Sequence, residues 1–376
     1  MHTHTSIFHF FRNRELNELY ISISIRAFAV SLIGVFIPIY FYQQGYTFFS
    51  IFLFYAVWSL THLLFSIPSA KISSKLGLKR SILLSIPFLI LFFFFLYSLE
   101  NFNWPLPILS ILIGLSTSLF WLSYHVDFAK FSNKKNRGKQ VGFSKIVIAV
   151  FSVLGPIVGG IILTFVGFGI LFIIVSVLLI GSVIPLFFSR EIHEPSSFSL
   201  KGFFRGQKIK DILSYVGFGI EGKIGAVVWP LFIFIFIFSE KYISLGLVSS
   251  LTLGVALISV IFIGKFSDIY RRKILKIGSV FNAIIWIVKS FIITPVQVFI
   301  TDAFYGVSRV TMDIPFDAIN YDKAKEEERV KIILQREMYT HLGIILLFLV
   351  LMFFTESLIE IFRYGGPLSS LLRFFF

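Results

Sequence analysis

The segment YGVSRVTMDIPFDAIN, residues 305–320, carries Arg309, Asp313 and Asp317 inside a run that otherwise has the composition of a membrane-spanning helix. One charged side chain at the centre of such a helix costs at least ~2.5 kcal/mol, so three together need a compensating environment. Their four-residue spacing lays them on one helical stripe, ~12 Å long at 1.5 Å per residue. Asp313 is within reach of Arg309 on the same helix, which keeps both charged. A stripe of this kind is expected to face an aqueous path, with Pro315 opening the backbone beside it. Further ionisable residues fall in apolar surroundings at Arg26, His125, Asp127, Glu221 and Lys223, with Trp121 as an aromatic neighbour. These groups suit the binding and passage of a polar solute or ion rather than bond-breaking chemistry.

Other chemistries find little support. The chain has no cysteine, which removes thiol catalysis, disulfides and Cys-based metal sites. Read along the chain, the histidines form no metal cluster. GFGIEGK, residues 217–223, fits the start of a phosphate-binding loop, but Ile224 stands where Ser or Thr would bind magnesium, and no strand precedes it. No catalytic triad or paired-carboxylate set emerges, and no cofactor is implied; the chain reads as a non-enzyme.

The elements that must position these charges are membrane helices. Of 376 residues 56% are hydrophobic and 14% charged, against about a quarter charged in a soluble domain. The 49 Phe residues read as lipid-facing and packing groups. Runs long enough to cross ~30 Å of hydrocarbon occur near 17–41, 49–70, 81–99, 105–127, 142–165, 168–188, 211–238, 243–265, 275–293, 295–319, 336–354 and 355–376. The last is weakened by Glu356, Glu360, Arg363 and Arg373, and eleven spans plus a surface helix is the alternative. The N-terminal stretch lacks a cleavage site and reads as a short amphipathic helix. With that end cytosolic, 27 of the 34 Lys and Arg residues fall on the cytosolic side, as the positive-inside rule requires. The net charge of +14 is then a topology signal facing anionic lipid, with no nucleic acid needed to explain it.

The two halves match each other. Residues from Ser31 align on those from Lys223, with Pro38 over Pro230 at an offset of 192; those from Ala70 align on those from Gly264 at 194; those from Gly114 align on those from Gly306 at 192 again. Residues 1–188 and 211–376 are therefore expected to be two six-helix bundles joined by a polar cytosolic loop, 189–210.

At these residues the chain resembles the major facilitator superfamily along essentially its whole length. The loop AKISSKLGLKR keeps Lys75, Gly77, Lys79 and Arg80 of the family's charged loop between helices 2 and 3, beside Lys71, with Ala70 for the first Gly and Ser74 for the Asp. GKFSDIYRRK keeps Gly264, Asp268, Arg271 and Arg272 but lacks the second Gly. GPIVGG, with Gly155, Pro156, Gly159 and Gly160, is similar to the family's antiporter-associated element in helix 5, with Phe151 where a further Gly is expected. A packing kink accounts for it equally well.

The resemblance implies an all-α membrane protein of twelve helices in two pseudo-symmetric bundles, with helices 1, 4, 7 and 10 lining a central cavity. Those are the helices that hold most of the buried charge; the exceptions are His62, the rim residues Lys145, Lys289 and Asp302, and the charged last span. It further implies a monomeric secondary transporter in the cytoplasmic membrane, moving a small solute by alternating access and coupled to a proton or ion. GPIVGG favours export and hence an efflux antiporter, although helix 4 lacks the Arg common in proton-driven members. A transport-inactive sensor or scaffold is the alternative.

Overall fold

The computed structural model describes residues 14–131, 146, 148–185, 207–324, 328–353 and 358–376. The expected amphipathic helix before Arg14, most of the central loop, Lys145 and the side chain of Asp127 lie outside that description.

Every described element is helical. α1 runs Arg14–Ile33, passes through a tight turn at Gly34–Phe36, and resumes as Ile37–Gln43. α2 is Phe48–Leu76, α3 Leu78–Tyr97 and α4 Leu106–Phe131. α5 is Ile148–Phe165 and α6 Phe168–Val183. α7 runs Ile209–Lys223, widens into a π-turn at Ile224–Val228, and resumes as Trp229–Phe236. The rod Tyr242–Lys289 bends at Tyr270, giving α8 (242–269) and α9 (271–289). α10 is Pro295–Lys323, α11 Arg329–Phe353, and α12 spans 358–375 in four short segments.

The break between α2 and α3 and the bend between α8 and α9 occupy matching places and differ for a readable reason. Gly77 ends α2 with φ +101, a conformation that glycine alone adopts without strain. The second copy, DIYRRK, has neither Gly nor Pro. Its helix continues, and Tyr270 absorbs the bend at φ −128, ψ 43. The loop expected there is thus a kink. α10 begins with a capping box in which Thr294 and Gln297 satisfy each other's backbone and Pro295 occupies the first turn.

Within one half α1 packs on α5 and α6, and α4 on α2 and α3; within the other α7 packs on α11 and α12, and α10 on the α8–α9 rod. The halves meet along α2–α11 and α5–α8. Those two seams exchange under the superposition of halves, as pseudo-twofold symmetry demands.

Small residues set the closest approaches. A Cβ on Gly114 would lie 2.9 Å from the Trp58 carbonyl oxygen, and one on Gly306 would lie 2.5 Å from that of Thr252. These contacts are images of each other at the two repeat offsets, 192 for the glycines and 194 for their partners. Gly159 would bring a Cβ within 1.9 Å of the Leu32 oxygen, and Gly160 within 2.7 Å of the Tyr242 oxygen. GPIVGG is therefore the surface on which α5 packs against α1 and against α8 of the other half. The helix break at residues 153–154 falls just before Pro156, where its missing N–H is tolerated.

Gly114→Val and Gly306→Val are each expected to cost on the order of 1–3 kcal/mol through overpacking and to lower the apparent unfolding temperature in detergent. Gly222→Ala, where nothing lies within 4 Å, leaves it unchanged. Equal loss in all three variants would contradict the packing described.

Candidate functional site

Two adjoining voids of about 520 and 600 Å³ occupy the middle of the molecule and share Trp58, Thr117, Trp121, Lys223 and Arg309 in their walls. Arg309, Asp313 and Asp317 all line the first. Four-residue spacing on α10 turns one face to the cavity, and polar groups there escape the cost of facing acyl chains.

Four charges from three helices close into one network. Arg373 of α12 donates to Asp313 Oδ1 at 2.6 Å and lies 3.7 Å from Glu221 Oε2. Arg309 lies 3.5 Å from Asp313 Oδ2 and 3.9 Å from Glu221 Oε2. Tyr305 donates its hydroxyl proton to Glu221 Oε1 at 2.8 Å. Two carboxylates and two guanidiniums leave the group neutral, and Glu221 and Arg373 are wholly buried. Charge balance with added hydrogen bonds is what makes such burial tolerable.

Two expected site residues stand apart from that network. Glu221 pairs with arginines and not with Lys223. Lys223 Nζ instead sits 4.0 Å above the Trp58 ring, and the Arg26 guanidinium lies 3.9 Å from the centre of Phe120. Both are cation–π contacts, and neither Lys223 nor Arg26 has an ion-pair partner among the described residues. Arg26 Nη1 is buried without a hydrogen bond.

At the other end of the stripe Asp317 accepts from Arg336 of α11 at 2.7 Å. His125 Nδ1 meets the Tyr321 hydroxyl at 2.6 Å, and its ring stacks on Trp121 at 5.6 Å. Lys289 and Asp302, expected at the membrane rim, are buried and paired at 2.6 Å, with Trp229 Nε1 donating to the same carboxylate. Around the charged loops Lys71, Lys75 and Arg80 are exposed and Lys79 is buried. Gly264 is buried within α8, and Arg272 is exposed. Arg271 lies 3.4 Å from Asp268 and donates to Asp322 of α10. In this half Arg271 therefore joins the acidic position before the bend to the end of the neighbouring helix.

The sequence reading missed Arg373, Glu337, His341 and Trp58. Arg373 lies in SSLLRFFF, a span read as interrupted by its charges, and the arginine is in fact what anchors that span. Glu337 and His341 share one face of α11 at four-residue spacing, a signal present in the sequence but on a helix outside the expected cavity set. Read along the chain, the histidines form no metal cluster; the fold nonetheless brings His62 and His341 into ring contact.

The family model described as Major Facilitator Superfamily matches residues 19–346, and the chain belongs to that family, a family of membrane transporters. Its fold is similar to that of the human organic anion transporter MFSD10 (TETRAN), with a TM-score of 0.72 at 10% identity over 96% of this chain and 97% of that one. It is also similar to FucP in the outward conformation, with a TM-score of 0.68 at 11% identity over 96% of each chain. At these identities the likeness concerns the fold. No curated protein matches the chain by sequence.

Arg373→Met should cost ~3–5 kcal/mol, the range for removing one partner of a buried ion pair, because it leaves two buried carboxylates to one guanidinium. Combining it with Asp313→Asn restores neutrality and should recover part of the loss. Unfolding in detergent of the unsubstituted chain, each single variant and the double variant measures this, and strictly additive losses would refute the network.

Proposed function

We propose that the chain is a secondary transporter that moves a small anionic solute across the cytoplasmic membrane by alternating access, the N-terminus being cytosolic. The observation carrying the substrate class is Lys223. Glu221, Asp313 and Asp317 are committed to Arg309, Arg373 and Arg336, Asp302 is committed to Lys289, and Glu337 faces His62 and His125. Lys223, by contrast, is held by aromatic faces, and Arg26 stands nearby with an unused donor. The surplus charge in the cavity is thus positive. An anion entering it meets Lys223, partly exposed to the void, and the buried Arg26, and such charge complementarity favours selectivity and capture more than raw affinity.

Cross-half contacts exist at both ends. Phe348 of α11 stacks on Tyr55 and Phe52 of α2 towards the α1–α2 turn. Tyr321 of α10 meets His125 and Phe128 of α4 at the basic end. Rocking of one bundle against the other would part these sets alternately, with the α2–α11 and α5–α8 seams as the sliding surfaces. Export rests on GPIVGG alone. Coupling to a proton or ion and a monomeric state remain parts of the same proposal.

Reconstitution into liposomes tests it. An imposed gradient should drive uptake or release of a carboxylate or phosphate from a screened set. Lys223→Met should abolish that flux, and Lys223→Arg should retain a share of it, both with near-normal unfolding temperatures. Asp313→Asn is less decisive, because Asp313 also anchors Arg373. Flux unaltered in Lys223→Met, or flux confined to cationic compounds, would overturn the anion assignment; a folded protein with no flux for any compound favours a scaffold.

A further inference from the structure

His62, Glu337 and His341 play no part in the charge network, and the transport reading does not use them as a set. Each offers one ligand atom, and the three atoms lie within 4.8 Å of one another. Glu337 and His341 share a face of α11; His62 reaches them from α2, in the other half. The two imidazoles stack with centroids 3.5 Å apart, and all three residues are buried.

Thr117 sets the tautomer of His62. Its hydroxyl donates its one proton to the Ile113 carbonyl at 2.8 Å and accepts from Trp58 Nε1, which can only donate, at 3.0 Å. With that proton spent, the 3.1 Å contact to His62 Nδ1 requires Nδ1–H to be the donor. Nε2 is then the lone-pair nitrogen of the neutral ring, and it faces Glu337 Oε2 at 3.3 Å. A lone pair and a carboxylate oxygen at that separation repel unless a cation joins them. His62 Nε2 and His341 Nδ1 are both buried without a hydrogen-bond partner.

Two imidazole nitrogens and a carboxylate converging, with one ring oriented through its other nitrogen, match the donor set and outer shell of a transition-metal site. We propose that His62, Glu337 and His341 bind a divalent first-row transition-metal ion of the Zn²⁺ class, leaving a fourth position open towards the cavity. Tetrahedral ligands sit about 3.3 Å apart for bonds of ~2.0–2.1 Å, so binding requires the two stacked rings to splay until each plane contains the ion, with the three ligand atoms drawn in from their present spacing of up to 4.8 Å. Two nitrogen donors favour such an ion over Mg²⁺ or Ca²⁺. His125 Nε2 faces the same carboxylate at 3.7 Å. Lys223 in the cavity and Arg336, itself paired with Asp317, oppose a dication, so the affinity is weaker than that of a closed structural site. Because the ligands come from both halves, a bound ion clasps α2 to α11 and favours conformations that keep them together.

The test uses the full chain without a histidine tag, with His2, His4, His9 and His193 replaced by Ala, stripped with chelator. Titrated Co²⁺ should saturate at one ion per chain with the visible absorption of a four-coordinate site. Zn²⁺ should displace it and raise the unfolding temperature, since it binds the folded state. Thr117→Val, which keeps all three ligands, should weaken binding ~10- to 100-fold, as loss of an outer-shell partner does; His341→Ala and Glu337→Gln should weaken it more. Absence of saturable Co²⁺ binding, or binding unchanged in the two ligand variants, overturns the proposal. So does an unfolding temperature that responds to pH but not to Zn²⁺, which would assign the cluster to a shared proton. None of these readouts depends on transport.

Discussion

Charge neutrality in a medium that cannot solvate charge is the constraint on which the rest of this molecule depends. Glu221, Arg309, Asp313 and Arg373 come from α7, α10 and α12, three helices far apart in sequence, and none of the four is affordable alone within the bilayer. Their balance fixes the mutual rotation of those helices. It explains why α10 tolerates too many polar residues to count as an apolar span, and why α12 holds its place despite its broken geometry. Arg373, at the far end of the chain, is wholly buried, so the final segment is part of the core.

The same constraint gives the cavity its character. Acids matched to arginines are held in place, and the cations without acids, Lys223 and Arg26, are the groups on which the proposed anion selectivity rests. Aromatic rings hold Lys223 and Arg26 without neutralising them: the quadrupole of Trp58 or Phe120 stabilises a cation while leaving its formal charge in place. The adjoining Lys289–Asp302 pair, by contrast, is internally neutral, its ammonium set among the rings of Trp229, Trp286 and Tyr305. Buried charge therefore serves two ends here: paired, it anchors helices even where it lines the void; without an acid, as at Lys223 and Arg26, it leaves uncompensated charge in the wall.

Much of this was legible in residue order. The apolar runs and the basic loops give the helices and the bundle architecture, because the bilayer demands a fixed length and satisfied backbone groups. The four-residue stripe on α10 could be read as cavity-facing for the same reason. Glycine explained the α2–α3 break, and its absence explains the kink at Tyr270. The partners of the charges could not be read. Helix rotation depends on packing across sequence-distant segments: Glu221 and Lys223 are two residues apart, yet a helix places such neighbours about 200° apart around its axis, so nearness in sequence said nothing of their partners. The His62–Glu337–His341 cluster is hidden in the same way, since its members lie on helices at the seam between the halves.

The repeat offset carries a last consequence for how the cavity arose. Adding 192 to Thr117, Trp121 and His125 of α4 gives Arg309, Asp313 and Asp317 of α10. All six line the same void. The duplicated helices therefore present the same faces to the centre, as the matched glycine contacts of Gly114 and Gly306 require, while the chemistry on those faces has separated. One half supplies a charged wall whose geometry depends on ion pairs. The other supplies hydroxyl, indole and imidazole groups, which bond, stack and titrate without needing a counter-charge. A cavity walled in this way can hold fixed charge on one side and meet a changing occupant on the other, which a strictly symmetric pair of charged stripes, repelling across the void, would not permit.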